Sequence, residues 1–314
     1  MSTFLSNFFS VGLQVLVLFI LVGMGALTRI TKTMDETSIR GATALLLNFV
    51  TPCLLISTFQ RDYSPDQLAT VGLAAAIGFG FHFLSMALAH LFVHDADGAR
   101  ESVLRYAVVF TNAGFMSLPL QKEVLGEDGV FCGAVIVGVF QILCWTYGIW
   151  LMGGKEAKIP LAKMAFNPGI VGIAVALAFF IFGVRLPPAL ARPCHLMGEL
   201  NTPLAMVVIG YHLAGARLCG VFRDGKALFA MALRLLISPL LFVAAMALFG
   251  HWDHTLLVAA TIAASAPTAA LATVLAVQYR RDVVLSVELV ALTTLVSVVT
   301  MPLIVALADT LLSR

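Results

Sequence analysis

The sequence predicts an all-α integral membrane protein. It would have ten transmembrane helices in two five-helix halves of opposite orientation (5+5), with the fourth and ninth helices broken. Three observations carry this expectation. Only 11% of the 314 residues are charged and 60% are hydrophobic, against about 25% charged in an ordinary soluble domain. Ten apolar stretches approach the ~20 residues that a helix needs to cross the hydrocarbon core. Proline and small polar residues recur at matching places in the two halves, where a lipid-facing helix has no use for them.

The ten spans run over 10–29, 37–60, 67–93, 101–125, 127–152, 164–184, 196–216, 227–249, 254–279 and 283–308. The loops between them are short, so the chain reads as one membrane domain. Residues 1–28 carry no Lys or Arg, so the first span lacks the basic region of a cleavable leader. Thirteen Lys and Arg fall on one set of loops, among them Arg29, Lys32, Arg40, Arg100, Lys155, Lys158, Lys163, Arg217, Lys226 and Arg281. Five fall on the other: Arg61, Lys122, Arg185, Arg192 and Arg314. The positive-inside rule then puts both termini outside the cytoplasm.

Other classes drop out. A net charge of +2 without a basic patch excludes a nucleic-acid partner. Cys53, Cys132, Cys144, Cys194 and Cys219 form no CxxC or Cys/His cluster, so neither a disulfide framework nor a metal site is expected. The HExxH and GxSxG motifs are absent, so no enzyme and no cofactor are expected.

Because five spans are an odd number, a second copy of residues 1–152, joined by a link at 153–163, would sit upside down as residues 164–314. Thr51-Pro52 in span 2 answers Thr202-Pro203 in span 7. Thr111 to Pro119 in span 4 answers Ala264 to Ala270, around Pro267, in span 9. Proline removes a backbone donor and clashes with the preceding turn, so Pro52, Pro119, Pro203 and Pro267 are the expected helix breaks. A break in hydrocarbon is tolerated only where it faces protein or a wet cavity. It leaves half-helix N-termini whose bare N–H groups and partial positive charge suit an anion.

The polar residues at these breaks are the candidate substrate ligands. Asn112 either holds the ligand or caps the half-helix that follows it. Thr111, Ser117, Ser265 and Thr268 bond either ligand or freed backbone. Gly114 allows a close approach or simple packing. Glu288, His82 and His212 lie inside spans and are candidates for proton coupling; Glu288 has an alternative role as partner of Arg234. Arg234 either attracts an anion or snorkels to the cytoplasmic face.

Several motifs also resemble the auxin efflux carrier family, which includes plant PIN-formed auxin exporters and bacterial malonate/malate permeases. They are Phe49 to Leu55, Asn112 to Pro119, Asn167-Pro168-Gly169, Thr202 to Ala205 with Ile209-Gly210, Ala266 to Ala270, and Leu292 to Ser297 with Met301-Pro302-Leu303. The resemblance implies a fold similar to the bile-acid symporters and sodium/proton antiporters, with spans 4 and 9 crossing as an X. It implies secondary transport of a small carboxylate across a bacterial inner membrane by alternating access, and homodimers. Asn112 matches the carboxylate-binding asparagine of the plant exporters. Gln141 and Trp145 match a Gln and Trp near their site, whereas their ninth-span asparagine is replaced here by Ser265 and Thr268. No Asp or Glu lies between Thr255 and Val277, although the bile-acid symporters bind sodium with an acidic residue there. Proton coupling or uniport is therefore expected, with a sodium symporter, a channel or a sensor as the alternatives.

Overall fold

The computed structural model describes residues 2–154, 166–216, 220–248 and 252–312. Most of the expected link lies outside them, as do Lys155, Lys158, Lys163, Arg217, Cys219 and Arg314. The described helices are α1 (Ser2–Ile30), α2 (Glu36–Leu45), α3 (Thr51–Thr58), α4 (Pro65–Phe92), α5 (Gly98–Val109), α6 (Leu118–Leu143), α7 (Ile149–Gly153), α8 (Pro168–Ile181), α9 (Pro188–Glu199), α10 (Asn201–Ala214), α11 (Gly225–Ala232), α12 (Ser238–Leu248), α13 (His254–Ser265), α14 (Leu271–Gln278) and α15 (Val283–Leu312). Among the described residues, six stretches are long and apolar enough to cross a bilayer: Phe4–Ile30, Glu36–Thr58, Pro65–Phe92, Ala113–Gly153, Gly225–Leu248 and Val283–Leu311. The fourth stretch joins the expected span 5 to the second half of the expected span 4, and it is not straight. Gly126 has φ +67°, and Gln121 packs against Gly133, twelve residues on. A continuous helix would hold that pair about 18 Å apart, so α6 is a hairpin of two helices turning at Gly126.

Three of the four wide π turns among the described residues, Leu46–Val50, Ala113–Ser117 and Leu233–Ile237, end two residues before a proline (Pro52, Pro119 and Pro239), while the fourth, Cys144–Gly148, precedes none. Proline's ring clashes with the carbonyl four residues back and brings no N–H for it. Widening the turn moves that carbonyl aside and lets the helix continue. The expectation that Pro52 and Pro119 break their helices is therefore corrected: the π turns absorb both. Pro203 is likewise not a break, since it is the third residue of α10, after the interruption at Leu200.

Pro267 does stand in a break. Helix α5 ends at Val109, and residues 110–112 are non-helical before the π turn that leads into α6. Helix α13 ends at Ser265, and the chain is non-helical until α14. The two interruptions meet as an antiparallel bridge between Thr111 and Thr268. The Asn112 N–H donates to the Pro267 carbonyl at 2.7 Å, and the Ala269 N–H donates to the Phe110 carbonyl at 2.9 Å. Each break thus satisfies part of the backbone that the other exposes. Apolar packing meets around this crossing: Phe110 and Ala269 belong to one buried cluster, Ala263 and Ala264 to a second, Met116 and Ala266 to a third.

Helix α1 turns Val11, Val15, Leu18 and Val22 inward and Leu13, Ile20 and Leu27 outward, as a lipid-facing helix does. Its inner face meets α10 so closely that a Cβ on Gly25 would fall 2.3 Å from the Val207 carbonyl oxygen, and one on Gly210 would fall 1.9 Å from that of Val22. Small residues permit such backbone contact between membrane helices.

Polar clips lie in the connections. Arg100 pairs with Asp224, with Asp282 at 3.3 Å and with Asp95 at 3.8 Å, while Lys226 reaches Asp95 at 3.1 Å. The Asp97 N–H, then Lys226, hold the Asp95 carboxyl below its ordinary value of 3.8. A depressed carboxyl stabilises the fold above its unfolded-state pKa, and that contribution is lost as pH falls through the folded value. Arg100→Ala is expected to lower the apparent melting temperature of the detergent-solubilised protein modestly at pH 7. Single exposed pairs contribute about 0–1 kcal/mol, and Arg100 holds three. The deficit should shrink below about pH 4, as the contribution of the depressed Asp95 carboxyl is lost. A deficit unchanged between pH 7 and pH 3.5 would contradict this.

Candidate functional site

A cavity of about 340 Å³ lies against the crossing, lined by the first turn of α6's half-helix, the start of α14, the end of α10 and parts of α2, α6 and α15. Its size falls within the roughly 300–1,000 Å³ of ligand pockets. The walls are largely apolar, with Phe115, Phe140, Val208, Ile209 and Val290 among them. Polar groups are few: Asn112, Thr51, Gln141, Thr294, Thr43 and Thr273, with Arg29 and His212 toward the ends of α1 and α10.

Six helix starts among the described residues carry a side-chain cap, while α9 and α10 open without one. Asp35, Ser64, Asp97, Asn167, Asp224 and Asp253 each accept a first-turn N–H at the start of α2, α4, α5, α8, α11 and α13. Such caps satisfy donors that a helix leaves bare. The two starts at the crossing have no side-chain cap: Asn112 opens the π turn before α6, and Ala270 opens α14. The N–H groups of Ala113, Gly114 and Phe115 on one helix, and of Ala270 and Leu271 on the other, have no protein partner among the described residues. All five residues line the cavity. Two positive helix ends, one from each half of the chain, thus face one space, each equivalent to roughly half a charge.

Asn112 stands where these features meet. Its N–H is used by Pro267, and its carbonyl accepts from Met116 at 3.0 Å. The residue is 5% exposed, and its carboxamide, on the cavity wall, bonds no other described side chain or backbone group. Of the other expected ligands, Gly114 and Gln141 also line the cavity, as does His212. Gln141 Oε1 accepts from the Trp145 indole at 3.1 Å.

The remaining candidates sit behind the wall. Thr268 Oγ1 donates to the Ala107 carbonyl at 3.1 Å, its N–H donates to Thr293 Oγ1 at 3.2 Å, and Ser265 Oγ donates to the Thr261 carbonyl at 2.8 Å. The two Thr268 bonds tie the break to neighbouring helices, and the Ser265 bond stays within α13. Thr111 is buried in the bridge, and the Ser117 hydroxyl is buried without a partner. His82 is fully buried, with Nδ1 2.7 Å from the Gly78 carbonyl and Nε2 unpartnered. Glu288 is 8% exposed and packs beside Gly220, outside the cavity lining. Arg234 neither snorkels nor pairs with Glu288. It is fully buried and bonds the Val108 and Ala264 carbonyls.

Sequence reasoning missed Arg29 and Thr51 as lining residues. Arg29 read as a topogenic loop charge, yet its guanidinium lies 4.8 Å from the centre of the Tyr211 ring and 3.6 Å from Glu36. Thr51 read only as a neighbour of Pro52. Its Oγ1 donates to Asn201 Oδ1 at 3.2 Å, so the first Thr-Pro pair touches the residue just before the second. The available signal was the recurrence of Thr-Pro at 51–52 and 202–203.

The sequence matches the membrane transport protein family over residues 10–163 and 157–305. It is 25% identical over 300 residues to an uncharacterized transporter of Methanothermobacter thermautotrophicus, covering 92% of this chain and 95% of that one. It is 26% identical over 238 residues to an uncharacterized transporter of Methanocaldococcus jannaschii, covering 72% and 75%.

Proposed function

The chain belongs to the membrane transport protein family, and from that premise we propose that it is a secondary carrier for small organic anions such as malonate or malate. The observation that carries this reading is the pair of uncapped helix N-termini turned into one cavity beside the unpartnered Asn112 carboxamide. A carboxylate supplies the acceptors those N–H groups lack, and the two helix ends offset its charge. Asn112 donates to one carboxylate oxygen, and the apolar wall receives the carbon skeleton. Discontinuous helices of this kind bind substrate at the midplane of carriers built from inverted repeats.

In this reading ten spans form two inverted halves in the inner membrane, with both termini outside the cytoplasm. The cavity faces the cytoplasm, at the end where α1 and α10 finish. The crossing moves relative to the tightly packed α1–α10 pair to expose the site to either side. His212, on the cavity wall, is the better placed proton carrier of the three candidates, while Glu288 and His82 act within the packing. No cofactor takes part, and a homodimer is the proposed assembly.

Uptake of radiolabelled malonate and malate into proteoliposomes tests the proposal, with and without an imposed pH gradient. Saturable uptake above that of empty liposomes is the expected result. Flux that rises linearly without saturation would point to a channel. Absence of flux, together with an unchanged melting temperature across a panel of mono- and dicarboxylates, would overturn the reading, because a ligand that binds only the native state raises its stability.

A further inference from the structure

The crossing has negative ends as well as positive ones. Val108 and Ala264 are each the next-to-last residue of their half-helices, α5 and α13. Their carbonyls are among the last four of each helix, which have no acceptor role within it. Arg234 bonds both: Nη1 donates to Val108 at 2.9 Å, and Nη2 donates to Ala264. The guanidinium is fully buried and lies 5.2 Å from the centre of the Phe81 ring. Among the described residues it pairs with no carboxylate, and its Nε has no partner. A buried charge without a counter-ion is costly. Here two helix C-termini, each roughly half a negative charge, together balance one guanidinium.

In carriers with broken helices, those C-terminal carbonyls are where an inorganic coupling cation is held. We propose that Arg234 is a positioning residue whose guanidinium stands permanently in that cation's place, fixing the two half-helices so that the crossing needs no sodium ion. The proposal rests on the carrier reading for its functional meaning, but its structural content is independent of it. The residues present do not fit a sodium site, since the carbonyls that would coordinate the ion are already taken by a fixed charge. The same charge shields the anion site from the two negative helix ends just behind it. The π turn Leu233–Ile237 that carries Arg234 is one of those preceding a proline. Pro239 therefore sets the local backbone from which the side chain reaches the crossing.

The test is thermal unfolding of the full-length, detergent-solubilised protein in NaCl, guanidinium chloride at low millimolar concentration, or choline chloride, at equal ionic strength. The wild type is expected to melt at the same temperature in sodium and choline. Arg234→Gln is expected to melt lower in choline and to regain several degrees in sodium or guanidinium. Arg234→Lys, which keeps the charge, should remain indifferent to the cation. An Arg234→Gln protein that fails to fold in every salt, beside a folded lysine variant, also supports the need for a fixed charge. Three results would overturn the proposal: a wild type stabilised by sodium over choline, a glutamine variant no more cation-responsive than the wild type, or equal loss in the lysine and glutamine variants. Absence of carboxylate uptake by the wild type would instead sink the carrier reading and leave the stability comparison intact.

Discussion

Asn112→Asp is expected to abolish carboxylate uptake while leaving the protein folded. The side chains are nearly isosteric, and the native carboxamide gives up no protein hydrogen bond in the exchange. Aspartate is a good N-cap, so the new carboxylate takes the bare N–H groups of the following turn for itself. The site would be occupied by its own wall. An arriving anion would also meet a like charge, worth about 4 kcal/mol at 4 Å and an effective dielectric of ~20. That corresponds to roughly a thousandfold loss of affinity. Uptake and melting temperature measured on one preparation separate this outcome from misfolding: transport should vanish and the melting temperature should hold or rise. Asn112→Ala should retain the helix-end N–H groups and show a smaller loss. Uptake by the aspartate variant equal to the wild type would remove Asn112 from the site.

Gly210→Val is expected to have the largest effect on folding. The added Cβ would stand 1.9 Å from the Val22 carbonyl oxygen, and the obstacle is backbone, which does not rotate away. Helices α1 and α10 must separate, exposing Gly25 and its partner Val207 to the same loss of contact. Overpacking costs about 1–3 kcal/mol where side chains can shift, and a backbone clash belongs at or above the upper end. The measurement is the monodisperse fraction in size-exclusion chromatography and the melting temperature. Gly23→Ala is the control on the same helix, since its added Cβ meets nothing within 4 Å. Equal behaviour of the two variants would contradict the close α1–α10 contact.

Much of the fold was legible because bilayer physics leaves few options. Low charge and long apolar runs demand helices, and mid-membrane Asn112, Thr111 and Pro267 demand protein or water around them. The location of the first break was misread. Proline was taken as its cause, yet the chain breaks at residues 110–112 and absorbs Pro119 in a π turn. Nothing local distinguishes a proline that stops a helix from one a wide turn accommodates, since that depends on whether another backbone offers hydrogen bonds to the opened residues. Here the Pro267 and Phe110 carbonyls accept the N–H groups of Asn112 and Ala269 across the two halves.

The site was legible to the same degree. Asn112, Gly114 and Gln141 reach the cavity, whereas Ser265 and Thr268 turn their hydroxyls to helix carbonyls. Hydroxyls can satisfy themselves on nearby helix carbonyls, their own helix's for Ser265 and a neighbour's for Thr268, and a carboxamide at a helix start cannot do so as readily. Arg234 was the hardest to read. A lone arginine in a span suggests snorkelling when its surroundings are unknown, and only the convergence of two helix C-termini makes a buried position tolerable.

An experimental structure with a bound carboxylate, chosen as the strongest stabiliser in a thermal screen, tests the account most directly. The account predicts a carboxylate oxygen about 3 Å from the N–H groups of Ala113 to Phe115, within reach of the Asn112 carboxamide, with residues 110–112 and 266–270 non-helical. An anion held at Arg29 alone, away from both helix starts, or an unbroken helix through residue 112, would contradict it.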